Sequence, residues 1–134
     1  MTIQKMLGFV EKKEMNGLPM QYLTEGEKMS NEITASVVGC GWMGEYYVQW
    51  LSNHHNTELI SIVDPDSDKL KLMSGKYGVE KSYLGVRKML DSQVPDVVMV
   101  ATPTAYFKEV VMICVEADVK GVLVEKPIGG LLSD

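Results

Sequence analysis

The sequence predicts a three-layer α/β/α fold, a doubly wound parallel sheet with helices on both faces. Two observations carry this. From residue 33 onward, short apolar runs rich in Val and Ile alternate with longer segments of helical pattern. The runs are continuously apolar rather than alternating, as expected of strands buried on both faces. The 134 residues, 46% hydrophobic and 23% charged, fit one globular domain. A chain of about 150 residues buries roughly two-thirds of its unfolded surface, so a core is feasible. Two full domains of roughly 100–200 residues each do not fit. The ordinary apolar content argues against disorder, and no run of about 18 apolar residues offers a membrane span.

Residues 1–32 differ from the rest of the chain. They hold five of the ten methionines, and Gly8, Gly17, Pro19 and Gly26 interrupt any regular pattern. The expectation is a poorly ordered extension. A start at Met29 would read MSNEITASVVGCGWMG, a compact beginning that makes residues 1–28 look like a translation-start artefact. The domain proper is expected over residues 33–134. Ile33–Val38 reads as a buried strand ending in glycines. Trp42–Leu51 is a helix with an apolar stripe of Tyr46, Tyr47, Trp50 and Leu51. Glu58–Val63 is a second strand, stopped by Asp64-Pro65. Asp66–Tyr77 is a helix that Asp66, Ser67 or Asp68 can cap and Gly78 ends. Lys81–Tyr83 is a short strand and Arg87–Leu90 a short helix. Asp96–Ala101 contains the cleanest buried strand, VVMVA. Thr104–Ala117 is a helix turning Val110, Val111, Ile113, Cys114 and Ala117 inward. Lys120–Val124 is the last strand, ended by Glu125-Lys126-Pro127.

The formal net charge is -5, and no segment forms the basic footprint that nucleic acid requires. Cys40 and Cys114 make no disulfide framework, and no Cys/His pairs show zinc spacing, so no metal site is expected. A reducing cytoplasm is the expected compartment. No export signal is apparent at the N-terminus.

Gly39-Cys40-Gly41-Trp42-Met43-Gly44 matches G-x-G-x-x-G, between a predicted strand and a predicted helix. That context makes the pattern a Rossmann-type dinucleotide fingerprint. Gly39 allows the tight turn, Gly41 lets backbone approach a pyrophosphate, and Gly44 allows close packing of helix on strand. The free N–H groups and dipole at the helix start then bind phosphate. Asp64 lies 20 residues past Gly44, close to the separation of roughly 20 expected for the acid that accepts from the adenosine ribose hydroxyls. Its plain alternative is a turn or helix-cap residue. Asp64, Asp66 and Asp68 crowd three carboxylates into five residues with no Arg following. That is a poor pocket for a 2′-phosphate, so NAD is favoured over NADP. Cys40 is read as a small filler rather than a redox sensor.

Two further motifs sit at predicted strand ends: Thr102-Pro103-Thr104 after VVMVA, and Glu125-Lys126-Pro127 after GVLV, followed by Ile128-Gly129-Gly130. With VVGCGWMG and IVDPD, they make residues 33–134 resemble the N-terminal domain of the glucose–fructose oxidoreductase, inositol dehydrogenase and rhizopine-catabolism family (Gfo/Idh/MocA). The resemblance implies that Gly39, Gly41, Trp42, Met43 and Gly44 supply the pyrophosphate loop and Asp64 holds the adenosine ribose. Thr102 and Pro103 would line the cofactor cleft. Glu125 would lie by the nicotinamide ribose. Lys126 would be the catalytic group, its ammonium stabilising an alkoxide-like oxygen as hydride moves. The plain alternative for Lys126 is a surface lysine after a strand.

The chain departs from the family pattern in two places. A His often follows the T-P pair, and here that position is Phe107; Tyr106 and Phe107 either stack on cofactor or pack. The family's second domain, with its substrate pocket, catalytic Asp and His and much of the oligomer contact, has no counterpart before Asp134. His54 and His55 read as solvated helix-end residues rather than an acid–base pair. The implied function is cofactor binding for an oxidoreductase acting on a secondary alcohol of a sugar, inositol or similar polyol. The chain alone is expected to bind NAD with little activity, taking substrate only if a second domain is supplied. The rival is a non-catalytic NAD-binding or partner-binding module. A third reading is a non-functional remnant that folds poorly, since a sheet stopping short would leave an edge strand and apolar surface open to self-association; a homo-oligomer is also weighed.

Overall fold

The computed structural model describes residues 32–126. Of the expected extension over residues 1–32, only Glu32 falls among them, and the residues after Lys126 lie outside as well. The elements run β1 (Ile33–Val38), α1 (Trp42–Asn53), β2 (Thr57–Val63), α2 (Ser67–Tyr77), β3 (Ser82–Tyr83), α3 (Val86–Ser92) and β4 (Val97–Val100). A 3-10 turn (Thr104–Tyr106), α4 (Phe107–Glu116) and β5 (Gly121–Val124) complete the described chain. All five strands are parallel in the order β3-β2-β1-β4-β5. The Rossmann-type architecture expected from the sequence is therefore present, and no strand lies beyond β5 among the described residues. The chain steps outward from β1 to β3 and then crosses back to β4. That reversal opens a crevice at the carboxyl ends of β1 and β4, where open α/β sheets bind ligands.

The continuous apolar runs are explained by two cores, one on each face. On the first face Ile33, Ala35, Val37, Ile62 and Met99 meet Tyr47, Val48 and Leu51 of α1 and Leu70 and Met73 of α2. On the second, Val38, Val63, Val98 and Val100 meet Met89 and Leu90 of α3 and Phe107, Val110 and Cys114 of α4. Truncating a fully buried residue such as Met99 to Ala costs about 2–5 kcal/mol. That is a large share of the roughly 5–15 kcal/mol that holds a typical domain folded. Strand β2 carries an irregularity with no sequence signal. Leu59 pairs with Ala35 but Ser61 pairs with Ser36, leaving Ile60 as an extra residue. The bulge lets Leu59 and Ile62 both contribute to the first core. It also sets Ser61 opposite Ser36, where the two buried hydroxyls bond at 2.7 Å.

Helix α1 differs from its predicted stripe. Its buried residues are Gly44, Tyr47, Val48 and Leu51, whereas Tyr46 is 54% exposed and Trp50 only partly buried. The phase follows from Gly44. Positions three, four and seven residues after it share its face, so the face pressed on β1 is the one Gly44 occupies. Helix α2 begins as the sequence predicts: of the three candidate caps, Asp66 accepts from the N–H groups of Asp68 and Lys69, and Gly78 ends the helix with φ 68°. The predicted helix over Thr104–Ala117 is divided, since a 3-10 turn precedes α4. The buried residues of α4 are Phe107, Val110 and Cys114. Val111, Ile113 and Ala117 flank that stripe and are half-buried.

The amino ends of three strands are joined by Asp96. Its Oδ2 accepts from the Thr34 N–H and hydroxyl, both at 3.0 Å, and its own N–H donates to Thr34 Oγ1 at 2.9 Å. Lys120, just before β5, approaches Oδ1 at 3.1 Å. Burial opposes ionisation of Asp96, but these donors and the ammonium outweigh it and hold the carboxyl below its ordinary value of 3.8. A folded-state value below the unfolded one gives stability that is present above the unfolded pKa and lost as pH falls through the folded one. Asp96→Ala is expected to lose about 1–2 kcal/mol at neutral pH. The deficit should shrink below about pH 4 as the wild-type carboxylate is protonated. Urea unfolding of both proteins across this range checks it, and a deficit that grows with acidity would contradict it.

Candidate functional site

Val63, Val38, Val100 and Val124 stand in register across β2, β1, β4 and β5. The residues after them leave the sheet together at its carboxyl edge: Asp64, Gly39, Ala101-Thr102 and Glu125-Lys126. Three interstrand spacings of about 4.8 Å separate Asp64's strand from Glu125's, about 14 Å in all. The four motifs singled out in the sequence thus line one edge, on both sides of the crevice between β1 and β4.

The glycine loop has the geometry its pattern implies. Gly39 adopts φ +102°, and a Cβ there would lie 2.6 Å from the Ala101 carbonyl oxygen. A Cβ on Gly44 would lie 1.7 Å from the Gly39 carbonyl oxygen, so α1 rests directly on the turn. Gly41 is different, because a Cβ there meets nothing within 4 Å. Its glycine is not required by the fold; it leaves a cradle open. Gly41 is also the N-cap of α1, and no side chain caps the helix. The Glu45 N–H makes the first helical bond, to Gly41 O at 2.9 Å. The N–H groups of Trp42, Met43 and Gly44 precede any intrahelical acceptor and carry the positive end of the helix dipole. Trp42 is 83% exposed, while Met43 packs against the first core.

Asp64 is buried at the end of β2. Its Oδ2 accepts from the Cys40 N–H and its Oδ1 from the Asp66 N–H, each at 2.8 Å. The carboxylate therefore ties the glycine loop to the β2–α2 turn, which is the turn half of its plain alternative; the helix-cap half belongs to Asp66. Each oxygen retains a further lone pair for a ligand hydroxyl. Lys69 and Lys71 are exposed on α2, and Lys76 is paired with Glu45. Cys40 is buried against Val63 O. Burial, with the Asp64 charge beside it, pushes its thiol up to about 12, so it stays protonated and fills space.

At the end of β4, Thr102 Oγ1 is buried without a partner among the described residues. A hydroxyl in that condition is costly unless a ligand or water completes it. Pro103 is exposed and leads into the 3-10 turn. Phe107 is buried in the second core and Tyr106 is 55% exposed, so Phe107 packs rather than standing free in the cleft. At the end of β5, Lys126 is exposed and Glu125 half-buried. Glu125 Oε1 accepts a hydrogen bond from the Tyr47 hydroxyl of α1. The sequence pattern puts Tyr47 in an apolar stripe and misses this bond. The available signal is the phenol itself, since a buried Tyr O–H almost always finds a partner.

His54 caps the far end of α1 and stacks on Trp50 at 4.8 Å and His55 at 5.4 Å. Ile33, where β1 begins, donates its N–H to Asn56 O at 3.1 Å. The two histidines thus lie at the amino edge, about 18 Å of helix away from the glycine loop, and take no part in the site.

An uncapped helix start, an open cradle at Gly41, an orphaned hydroxyl at Thr102 and carboxylates at both ends suit a dinucleotide pyrophosphate flanked by two riboses. Among the described residues no group of three His, Cys, Asp or Glu could hold a metal ion, and no helix is long and apolar enough to cross a membrane.

Comparison with known proteins agrees with this geometry. The model of an oxidoreductase family with an NAD-binding Rossmann fold matches residues 33–133. A myo-inositol 2-dehydrogenase of Thermotoga maritima is 33% identical over 98 residues, covering 73% of this chain and 29% of that protein. The crystal structure of myo-inositol 2-dehydrogenase from Lactobacillus plantarum superposes with TM-score 0.68 at 27% identity, covering 73% of this chain and 29% of that one. The fold alone is shared with scyllo-inositol dehydrogenase from Lactobacillus casei, solved with bound NAD(H) and scyllo-inositol (TM-score 0.67, 23% identity, 73% and 29% covered). The chain therefore spans under a third of the length of these relatives. From its fold, its edge geometry and these matches, the chain belongs to the Gfo/Idh/MocA family of oxidoreductases, whose N-terminal domain is an NAD-binding Rossmann fold.

Proposed function

We propose that the chain binds NAD along the carboxyl edge of its sheet and forms the cofactor half of a dehydrogenase for a secondary alcohol of inositol, a sugar or a similar polyol. The observation that carries this is the single registered edge on which all four motifs emerge. In this reading the free N–H groups of Gly41 to Gly44 hold the pyrophosphate, with Trp42 at its outer rim and Met43 anchoring the loop. Asp64 accepts from the adenosine ribose, Thr102 and Pro103 line the cleft, and Glu125 accepts from the nicotinamide ribose. NAD would supply the hydride acceptor. Lys126, one residue beyond Glu125, would present its ammonium to the substrate oxygen and stabilise the negative charge that develops there. Described residues place no imidazole at this edge, so proton transfer has no His to carry it. Such a group is ordinarily worth about 10²–10⁴-fold in rate. The 134-residue chain is expected to bind NAD while reducing it negligibly with myo-inositol, as read by nicotinamide absorbance. Robust turnover by the purified chain would contradict this.

The N-cap glycine of α1 and the glycine of its first turn should separate fold from function. Gly44→Ala forces backbone apart and is expected to lower the unfolding midpoint sharply. Gly41→Leu enters open space, so it should keep the midpoint and abolish NAD binding. Calorimetric titration with thermal denaturation checks both, and NAD affinity that survives Gly41→Leu would remove the pyrophosphate from this loop.

The acidic turn at Asp64, Asp66 and Asp68 makes the site selective by charge. NAD at 100 times its Kd should add about 2.7 kcal/mol of stability, and NADP at equal concentration should add far less. A larger thermal shift with NADP would contradict the role given to Asp64.

A further inference from the structure

We propose that Tyr47 is a positioning residue that sets the Glu125 carboxylate for the nicotinamide half of the cofactor, an inference that rests on the NAD-binding reading above. Tyr47 is 1% exposed, in the second turn of α1. Its ring belongs to the first core with Val37, Cys40 and Met99. Its hydroxyl passes beyond that core to donate to Glu125 Oε1, 78 residues away in sequence.

Packing accounts for the ring but not for the hydroxyl. A phenylalanine would fill the same space, and a buried phenol with no partner would be a liability. Burial pushes the Tyr47 phenol above its ordinary value of 10.0, and the neighbouring Glu125 charge pushes it further. The group is a donor at every physiological pH. Glu125 stands just past the end of β5, where an unrestrained side chain would sample several rotamers. Holding one oxygen removes rotamer freedom in advance and leaves the other oxygen for a ribose hydroxyl.

The link also has a direction. Helix α1 starts at the phosphate cradle, and its first and second turns form one rigid piece resting on Gly39. Through Tyr47, that same piece fixes the carboxylate at the end of β5. The pyrophosphate end and the nicotinamide end of the site are thereby held at one separation by a single helix.

Titration of the 134-residue chain with NAD and with ADP, which lacks the second ribose, tests this. Tyr47→Phe is expected to weaken NAD roughly tenfold, because the Glu125 carboxylate is no longer set before the cofactor arrives, and to leave ADP affinity essentially unchanged. In a Glu125→Ala background the same substitution should cost nothing further, because Tyr47 acts through Glu125. Equal weakening of NAD and ADP, or an undiminished loss in the Glu125→Ala background, would overturn the positioning role while leaving NAD binding intact. A wild-type chain that binds neither nucleotide would overturn the functional reading itself, and this role with it.

Discussion

Gly44 sits so close to the Gly39 carbonyl that no side chain of any size fits between them. Most of the site depends on this backbone-on-backbone contact. It lays α1 directly on the turn after β1 and so brings the helix's uncapped start to the crevice between β1 and β4. It sets the rotation of α1, turning Tyr47, Val48 and Leu51 into the core. It also determines how far the Tyr47 hydroxyl reaches, and hence its meeting with Glu125. Replacing the contact with a larger separation would move the start of α1 and the Tyr47 hydroxyl together.

The sheet supplies the rest. Its two ends are fixed by different chemistry. At the amino edge Asp96, Thr34 and Lys120 join β1, β4 and β5 through polar contacts. At the carboxyl edge Asp64 ties the glycine loop to the turn before α2. Between them the strands are mainly apolar and packed on both faces, with the bonded Ser36–Ser61 hydroxyl pair buried among them. Among the described residues the one buried side-chain oxygen without a protein partner, Thr102 Oγ1, lies at the carboxyl edge.

Much of this is legible in the sequence. The bounds of β1 can be read directly, because a β-branched run meets glycine at once, and Asp66 and Gly78 mark the ends of α2. The four motifs announce the edge, since strand ends are where this architecture puts its ligands. The features that escape are set by tertiary contact. The phase of α1 depends on which glycine touches the strand, so periodicity turns Tyr46 inward while the fold turns it outward. The Ile60 bulge has no local signal, as its residue is an ordinary strand former. The 3-10 turn before α4 follows from Pro103 and the need to redirect the chain, which helical periodicity does not register. The Tyr47–Glu125 bond spans 78 residues and only the assembled sheet brings it together.

Backbone amide shifts in a two-dimensional NMR titration of the chain with NAD test the central claim most directly. The expected result is saturable change at Gly41 to Gly44, Asp64, Thr102 and Glu125, with His54 to Asn56 at the opposite edge unmoved. Saturating NAD that leaves the carboxyl edge unperturbed, or that moves only the His54 end, would contradict it.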